Sequence, residues 1–588
     1  KWFFLSWKSD PTIKAMLKML DVIQHKFTNP NEDLFNLLCS ENCPVIFHFL
    51  PLEQFKLDDE IYVKMNSRGK PLTDFENFKA NFSVLFDQDN KSKLDNEWLD
   101  IFWKFEKDNQ QINLEEIDRK YLKFIENISL CFWVENKDIN KIDKDNFAIF
   151  SRYKEIYSSE YLKTISKIFD ALTTYKDAEK YFEEFLKPNP DYWEYLRFYA
   201  VAQFFIHCGD VNNTNFEAYN RWLRVCKNLI NNSLIQAPDE FYKAIRSIKN
   251  LAKNIEDIYG YIIIPENKVF GNSNKWREVI EKTENHSYFN GQIGFILDYA
   301  KTNNGYDIDK FSGYSEKLNE LFGSEFQNKH YCLFQRALLT FGDYLPAISG
   351  HYTFCNFENS LRAKMDNWRK VFSDDTKSSY LKQLLDNVDT DNLKDSLQQI
   401  VNDFQENNTD WKSLFIKNVG IVEYCENYQI DKADKQIYLA RSNANRWKRK
   451  AELRSYVFYK TKLKESEFNP FTNAFYWDSA DYEPCAGLDN WLYKNYHFAL
   501  DIRCLNDKFS LLFFDRNGRS LPNEVVKKLE DLGFTKNIEK IEDLDNDTEI
   551  EITKSCTCLI DNNIDFTKVE NKIKELVNAR NILENSQL

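Results

Sequence analysis

The 588 residues carry 78 Lys and Arg against 92 Asp and Glu, for a formal net charge of −14; 43% are apolar and 16% aromatic. A chain of this length buries a large core and divides at roughly 100 to 200 residues per domain. Its acidity excludes a wholly basic nucleic-acid coat and confines any DNA-binding surface to one region. With 15 Gly and 13 Pro it lacks the breakers of long disordered linkers, and no run of about 18 apolar residues marks a membrane span.

The 12 cysteines are scattered, and Cys131, Cys208 and Cys226 lie in apolar helical stretches, as reduced thiols of a cytoplasmic protein do. Cys39 with Cys43 (His48 beyond) and Cys556 with Cys558 are closer together. Neither pair has a second ligand pair at zinc-finger spacing, so no metal site is expected. The chain opens on Lys1-Trp2-Phe3-Phe4-Leu5 with no charged-then-apolar leader. Such a start without Met is expected of a gene product that extends further upstream.

Ser9-Asp10-Pro11 caps and opens a helix, and Ile13, Met16, Leu17, Leu20 and Ile23 continue it at helical spacing. Residues 44–52 (PVIFHFLPL) read as a short strand. A turn at Arg68-Gly69-Lys70-Pro71 follows, and Thr73 with Glu76 forms a capping box for a helix through Phe75, Phe78, Lys79 and Phe82. From about residue 95 to 430 the pattern is repeatedly helical, with stripes such as Trp98, Phe102 and Trp103 that belong in a core, and no fixed-period repeat. Near residue 430 the texture changes. A basic helix over 446–464 leads into two strands within 496–514, joined at Asn506-Asp507. A helix over 521–532, strands over 549–554 and 556–560, and a helix over 566–583 complete the series. The expected fold is mainly α: a remnant of an α/β domain over 1–90, a helical bundle over 91–430, and a small α+β domain over 431–588.

The stretch 61–81, IYVKMNSRGKPLTDFENFKAN, carries Asn66, Gly69, Leu72, Thr73, Glu76 and Lys79 in the order N-x-x-G-x-x-L-(S/T), acidic, Lys. It resembles the late signature of the ParB-like N-terminal domain of GmrSD-type restriction endonucleases. The opening WFFLSWKSDPTIKAMLKMLDVI and the later YFNGQIGFIL (288–297) and RALLTFGDY (336–344) also look like that family. The likeness covers roughly the first 400 residues and is densest in the first 90. It implies phage defence by nucleotide-dependent recognition or cleavage of modified DNA, with NTP and Mg²⁺ as cofactors. Read physically, Gly69 supplies a conformation other residues avoid, and the helix amides after it suit an anion. Asn66, Arg68, Gly69 and Lys79 are therefore the candidate nucleotide-binding residues, against an ordinary capped helix–helix turn. The Asp-Gly-Gln-Gln-Arg motif that family members are thought to use for hydrolysis does not occur in this chain, and Asn290-Gly291-Gln292 lies far downstream.

Two nuclease schemes are considered. The HNH type needs clustered histidines, and neither His330 nor His351 has the required context. A PD-(D/E)xK type would use Glu452, Asp501 and Glu551 (or Glu549) to hold Mg²⁺ against a phosphate, although the usual Lys is absent after Asp501. Arg441, Arg446, Lys448, Arg449, Lys450 and Arg454, interleaved with Trp447 and Tyr456, form the densest basic patch, suited to phosphate contact with base stacking. DNA is the expected partner. The alternative is a non-catalytic DNA- or partner-binding scaffold, as a homo-oligomer or a subunit of a defence complex.

Overall fold

Aromatic residues repeating at three- and four-residue intervals can bury themselves only by meeting rings from neighbouring helices, and that requirement organises the first half of the molecule. The computed structural model describes residues 7, 10–28, 33–41, 43–46, 73–104, 114–136, 149–174, 179–263, 273–303, 305–348, 350–355, 361–405, 410–425, 429–433, 436–441, 449–464, 467–479, 482–506, 508–543, 548–561 and 566–579. They fall into two compact units, Lys1–Arg277 and Glu278–Leu588.

The first unit is helical. Trp98 on the helix Glu97–Lys104 stacks on Phe169 of the helix Ser159–Thr174, with ring centroids 4.7 Å apart. Phe102 stacks on Tyr121 of the helix Leu114–Asn136 at 4.6 Å. The indole Nε1–H of Trp98 donates to Asp170 Oδ1 at 2.9 Å, which satisfies the one polar atom such a ring brings inside. The helix Tyr192–Cys208 is buried on nearly every side, with Leu196 and Phe198 to Phe205 all in the core. An all-round apolar helix has no other stable place. The predicted first helix is present as Pro11–Lys26, with the Asp10 carboxylate accepting from the Ile13 amide, but none of its residues is buried. Its spacing was enough for a helix without producing an enclosed face. Thr73 and Glu76 form the predicted capping box on Asp74–Ser83. The expected strand over 44–52 and the turn over 68–71 lie largely or wholly outside the described residues.

The second unit joins helices to antiparallel sheets. Its helical core centres on Trp368, which stacks on Phe334 at 5.5 Å and meets Phe322 edge-on at 4.9 Å, while Phe295 stacks on Phe372 at 4.2 Å. Segments 288–297 and 336–344 lie here as packing elements: Phe289, Phe295 and Ile296 are buried, and the buried Arg336 donates twice to the Ile416 carbonyl. A small hairpin pairs β1 (Lys301–Thr302) with β2 (Gly305–Tyr306). A five-stranded sheet runs in order from β3 (Ala347–Ile348) through β4 (His351–Thr353), β5 (Gln429–Ala433) and β6 (Gln436–Arg441) to β7 (Arg449–Glu452). Because β4 pairs with β5, the boundary expected at 430 falls inside this sheet.

The remaining strands are β8 (Asn473–Trp477), β9 (Cys485–Tyr493), β10 (Tyr496–Leu505), β11 (Lys508–Asp515), β12 (Thr535–Asp543) and β13 (Thr548–Asp561). They form a six-stranded sheet in the order β12-β13-β11-β10-β9-β8. The expected strand pair within 496–514 is β10 and β11. The two strands expected over 549–560 are one, β13, whose register shifts by a residue opposite Asn537 and Ile538. That bulge changes the phase of the in–out alternation, so one strand reads as two. The expected basic helix over 446–464 is also revised. Arg449–Glu452 is strand β7, and among the described residues of that span the helix is Leu453–Lys462, because Glu452 caps it and stops it extending backward. That helix buries Phe458 against Phe509 and Phe566 from the six-stranded sheet and the closing helix Thr567–Asn578. The molecule is mainly α with a C-terminal α+β region, as expected.

Gly342 tests the packing of the second unit. A Cβ there would stand 2.2 Å from Tyr380 Cζ, inside the ring's van der Waals surface. Gly342→Ala is expected to lower stability by about 1–3 kcal/mol. Adding Tyr380→Leu is expected to restore part of the loss, as measured by thermal denaturation.

Candidate nucleic-acid interface in the C-terminal unit

Strands β6 and β7 set Arg441 directly opposite Arg449, a like-charge pair that by itself destabilises a sheet. Asp478, just after β8, relieves it by taking both: Arg441 Nε lies at 3.7 Å and Arg449 Nη1 at 3.5 Å. One carboxylate against two guanidiniums leaves the cluster net positive. Arg441 also lies 4.2 Å from the ring centre of Tyr424 and donates to its carbonyl at 3.0 Å. Tyr424 in turn stacks on Tyr456 at 3.9 Å. On the other face of the sheet Asp431 is shared in the same way, by Lys450 at 3.0 Å and by His351 Nδ1. Burial works to raise the Asp431 carboxyl, but the hydrogen bonds from His351 and Lys450 prevail and hold it below its ordinary value. Lys450 lies 5.2 Å from the Tyr438 ring centre.

Two aromatic side chains beside this cluster are exposed. Trp477, next to Asp478, is 49% exposed and Tyr482 73%, with ring centroids 6.4 Å apart. Arg449 is itself 52% exposed. Half-exposed guanidiniums next to open aromatic faces are the combination that holds a phosphate backbone and stacks a base. The sequence reading selected the basic residues and missed Trp477, Tyr482 and Asp478. The available signal was Trp-Asp-Ser-Ala-Asp-Tyr at 477–482, an aromatic-flanked acidic stretch too short to read as an element. Arg446 and Lys448 lie outside the described residues. Arg454 is described on the first turn of the helix Leu453–Lys462, where its amide donates to Glu452 Oε1 at 3.1 Å.

The three candidate nuclease carboxylates do not come together. Glu452 is fully buried and accepts from the amides of Arg454 and Ser455 (2.7 Å for the latter), so its oxygens serve as a helix cap. Burial raises its carboxyl to about 7 against the opposing pull of those amides. Tyr476, whose hydroxyl accepts from the Glu452 amide at 2.9 Å, pairs with Ala486 across β8 and β9, and Ala486 pairs with Ile502 on β10. Asp501 adjoins Ile502 and therefore stands on the opposite face. There it is buried and paired with Arg503 Nη2 at 3.0 Å. Burial pushes the Asp501 carboxyl above its ordinary value, with Arg503 opposing. Asp501 is level with Leu512 and, one strand further, with Thr557. Glu551 lies six positions before Thr557 on β13, about 20 Å away at the usual strand rise, and is exposed opposite Lys540. Alternation and register thus separate all three. Among the described residues no group of His, Cys, Asp or Glu is arranged to hold a metal ion, and an arginine-paired Asp501 does not fit Mg²⁺.

The nucleotide reading meets a similar obstacle at Lys79, which is paired with Asp95 and lies 5.6 Å from the Phe75 ring centre. The capping box uses the Glu76 amide for the Thr73 hydroxyl, and Asp74 and Glu76 place two carboxylates in the first turn. Nearby Asp118 is raised to about 6 by burial and by Glu76. This helix start is therefore electrostatically unsuited to a phosphate. Asn66, Arg68 and Gly69 lie outside the described residues.

Compared with protein-family models, with curated proteins and with solved structures, the chain matches none.

The raised Glu452 carboxyl has a consequence for stability. Between its ordinary value of 4.5 and about 7 the folded state keeps a proton that the unfolded state has released, so stability falls as pH rises through that window. Relative to Glu452→Gln, the wild-type chain is expected to lose up to about 3 kcal/mol between pH 4.5 and 7.5. Denaturant unfolding curves of both proteins across that range check the difference.

Proposed function

We propose that this protein is a nucleotide-dependent phage-defence protein of the restriction type, acting in the cytoplasm, and that its C-terminal unit recognises DNA rather than cutting it. The observation that carries the DNA reading is the half-exposed Arg441–Arg449 pair sharing one carboxylate, beside the open rings of Trp477 and Tyr482. In an acidic chain this is a regional cationic surface of the kind nucleic-acid binding requires. The phage-defence context rests on the likeness of residues 61–81 to GmrSD-type proteins, which also implies an NTP and Mg²⁺. Lys79 and Asp501 are committed to protein partners and so are not available to either group. The dispersal of Glu452, Asp501 and Glu551 favours recognition over cleavage, and a scaffold without DNA contact is the competing reading. Among the described residues no helix is long and apolar enough to cross a membrane.

Fluorescence anisotropy with labelled single- and double-stranded DNA over a salt series tests the proposal. Binding is expected to weaken with salt, and Arg449→Ala is expected to reduce the logarithmic salt slope by about 0.7–0.9. Trp477→Ala is expected to cost about 1–3 kcal/mol on the single strand. Parallel cleavage and NTP-hydrolysis assays on modified and unmodified phage DNA, with Asp501→Asn alongside, separate recognition from catalysis. Absence of salt-dependent binding to either DNA would sink the reading in favour of the scaffold, and cleavage lost in Asp501→Asn would restore a nuclease.

A further inference from the structure

One face of the six-stranded sheet is packed. Phe458 of the helix Leu453–Lys462 and Phe566, at the start of the helix Thr567–Asn578, both meet Phe509 of β11 there. Phe509 pairs with Cys504, which shares its face with Ile502, and through Ala486 that face continues to Tyr476. Trp477 therefore stands on the opposite face, at the end of the edge strand β8. That face is open from one side of the sheet to the other. Trp477 is 49% exposed, and Leu559 of β13, on the same face three strands beyond β9, is 65% exposed.

The second ring is fixed in the same frame. Ser479 and Lys450 exchange backbone hydrogen bonds at 2.9 and 3.1 Å, and the Tyr482 amide donates to the Ser479 hydroxyl at 3.0 Å. Arg449, next to Lys450, is thereby tied to the strand end that carries both rings. The planes of Trp477 and Tyr482 are inclined at 39° with centroids 6.4 Å apart, so the rings are not stacked face-to-face on each other. Both are at least half open to a third ring, since Tyr482 is 73% exposed. Beside them two guanidiniums share the single carboxylate of Asp478, a positive charge suited to phosphate.

These two kinds of group ask different things of DNA. An arginine meets a phosphate equally in one strand or two, whereas an aromatic ring needs the flat face of a base. In a duplex those faces are covered by the neighbouring base pairs, and only base edges are open in the grooves. In a single strand they are free to stack.

We propose that this site selects unpaired DNA: bases of a single strand stack on Trp477 and Tyr482 while Arg449 holds a backbone phosphate. A duplex is held there through its phosphates alone. The inference rests on the DNA reading above and adds the strand preference to it.

Competition anisotropy with the whole chain at a fixed salt concentration tests it, using a labelled pyrimidine-rich single strand. The competitors are the same strand unlabelled, its blunt duplex, the same strand with abasic sugars, which keeps the phosphates and removes the bases, and RNA of the same sequence. The single strand is expected to bind about tenfold or more tighter than the duplex or the abasic strand. Trp477→Ala and Tyr482→Ala are each expected to weaken the single strand about tenfold and close that gap, while Trp477→Phe keeps it. Arg449→Ala is expected to weaken single strand and duplex alike. Circular dichroism establishes that each variant is folded. Salt-dependent binding with equal affinity for single strand, duplex and abasic strand would overturn the strand preference and leave the DNA reading standing. Binding to none of them would remove both, and tighter binding of the RNA than of the DNA strand would overturn DNA as the ligand.

Discussion

The C-terminal unit depends on one buried carboxylate. Glu452 ends β7, caps the helix Leu453–Lys462 and, through its backbone, meets the Tyr476 hydroxyl of β8. One residue thereby ties the five-stranded sheet to the six-stranded one and aims the helix that carries Phe458 between them. Burial of a capping carboxylate is tolerable because two amides meet its oxygens, and it leaves the group only partly ionised near neutrality. The same commitment removes Glu452 from any metal chemistry.

The surface around this junction balances charge by sharing. Asp478 serves two arginines that face each other across β6 and β7, so they are held without mutual repulsion, and Asp431 serves Lys450 and His351. The arginine pair leaves more positive than negative charge at its own position within a net acidic chain. Exposed Trp477 and Tyr482 add stacking surface beside the arginine cluster. Fixed guanidiniums and open rings could hold a nucleic acid without a reaction centre, and that separation of roles underlies the proposal of recognition rather than cleavage.

The first unit follows a different logic. Its rings pack against one another, and several of the polar groups they bring inside meet a specific partner, as Trp98 does in Asp170 and Tyr161 in Ser129. A cavity lined by Glu135 and Gln203 is where polar groups gather without complete closure.

Local chemistry was legible in the sequence. Asp10 before Pro11, Thr73 with Glu76, the Trp98 stripe and the strands meeting near Asn506 all depend on residues within a few positions of one another, and each stands where those residues dictate. Properties set by cross-chain register were not legible. Whether Glu452, Asp501 and Glu551 converge depends on sheet order, on the period-two alternation that puts Asp501 and Tyr476 on different faces of the sheet, and on a bulge in β13. The extra residue at that bulge shifted the pattern enough to divide one strand into two. Pairing of the basic residues with Asp478 and Asp431, and the exposure of Trp477, likewise arise between segments distant in the chain. The sequence by itself determined helix starts, core stripes and the regional concentration of basic charge, because these are encoded at short range. Only the tertiary structure decided which charges meet, because strand order and register bring together residues whose spacing in the chain says nothing of their separation in space.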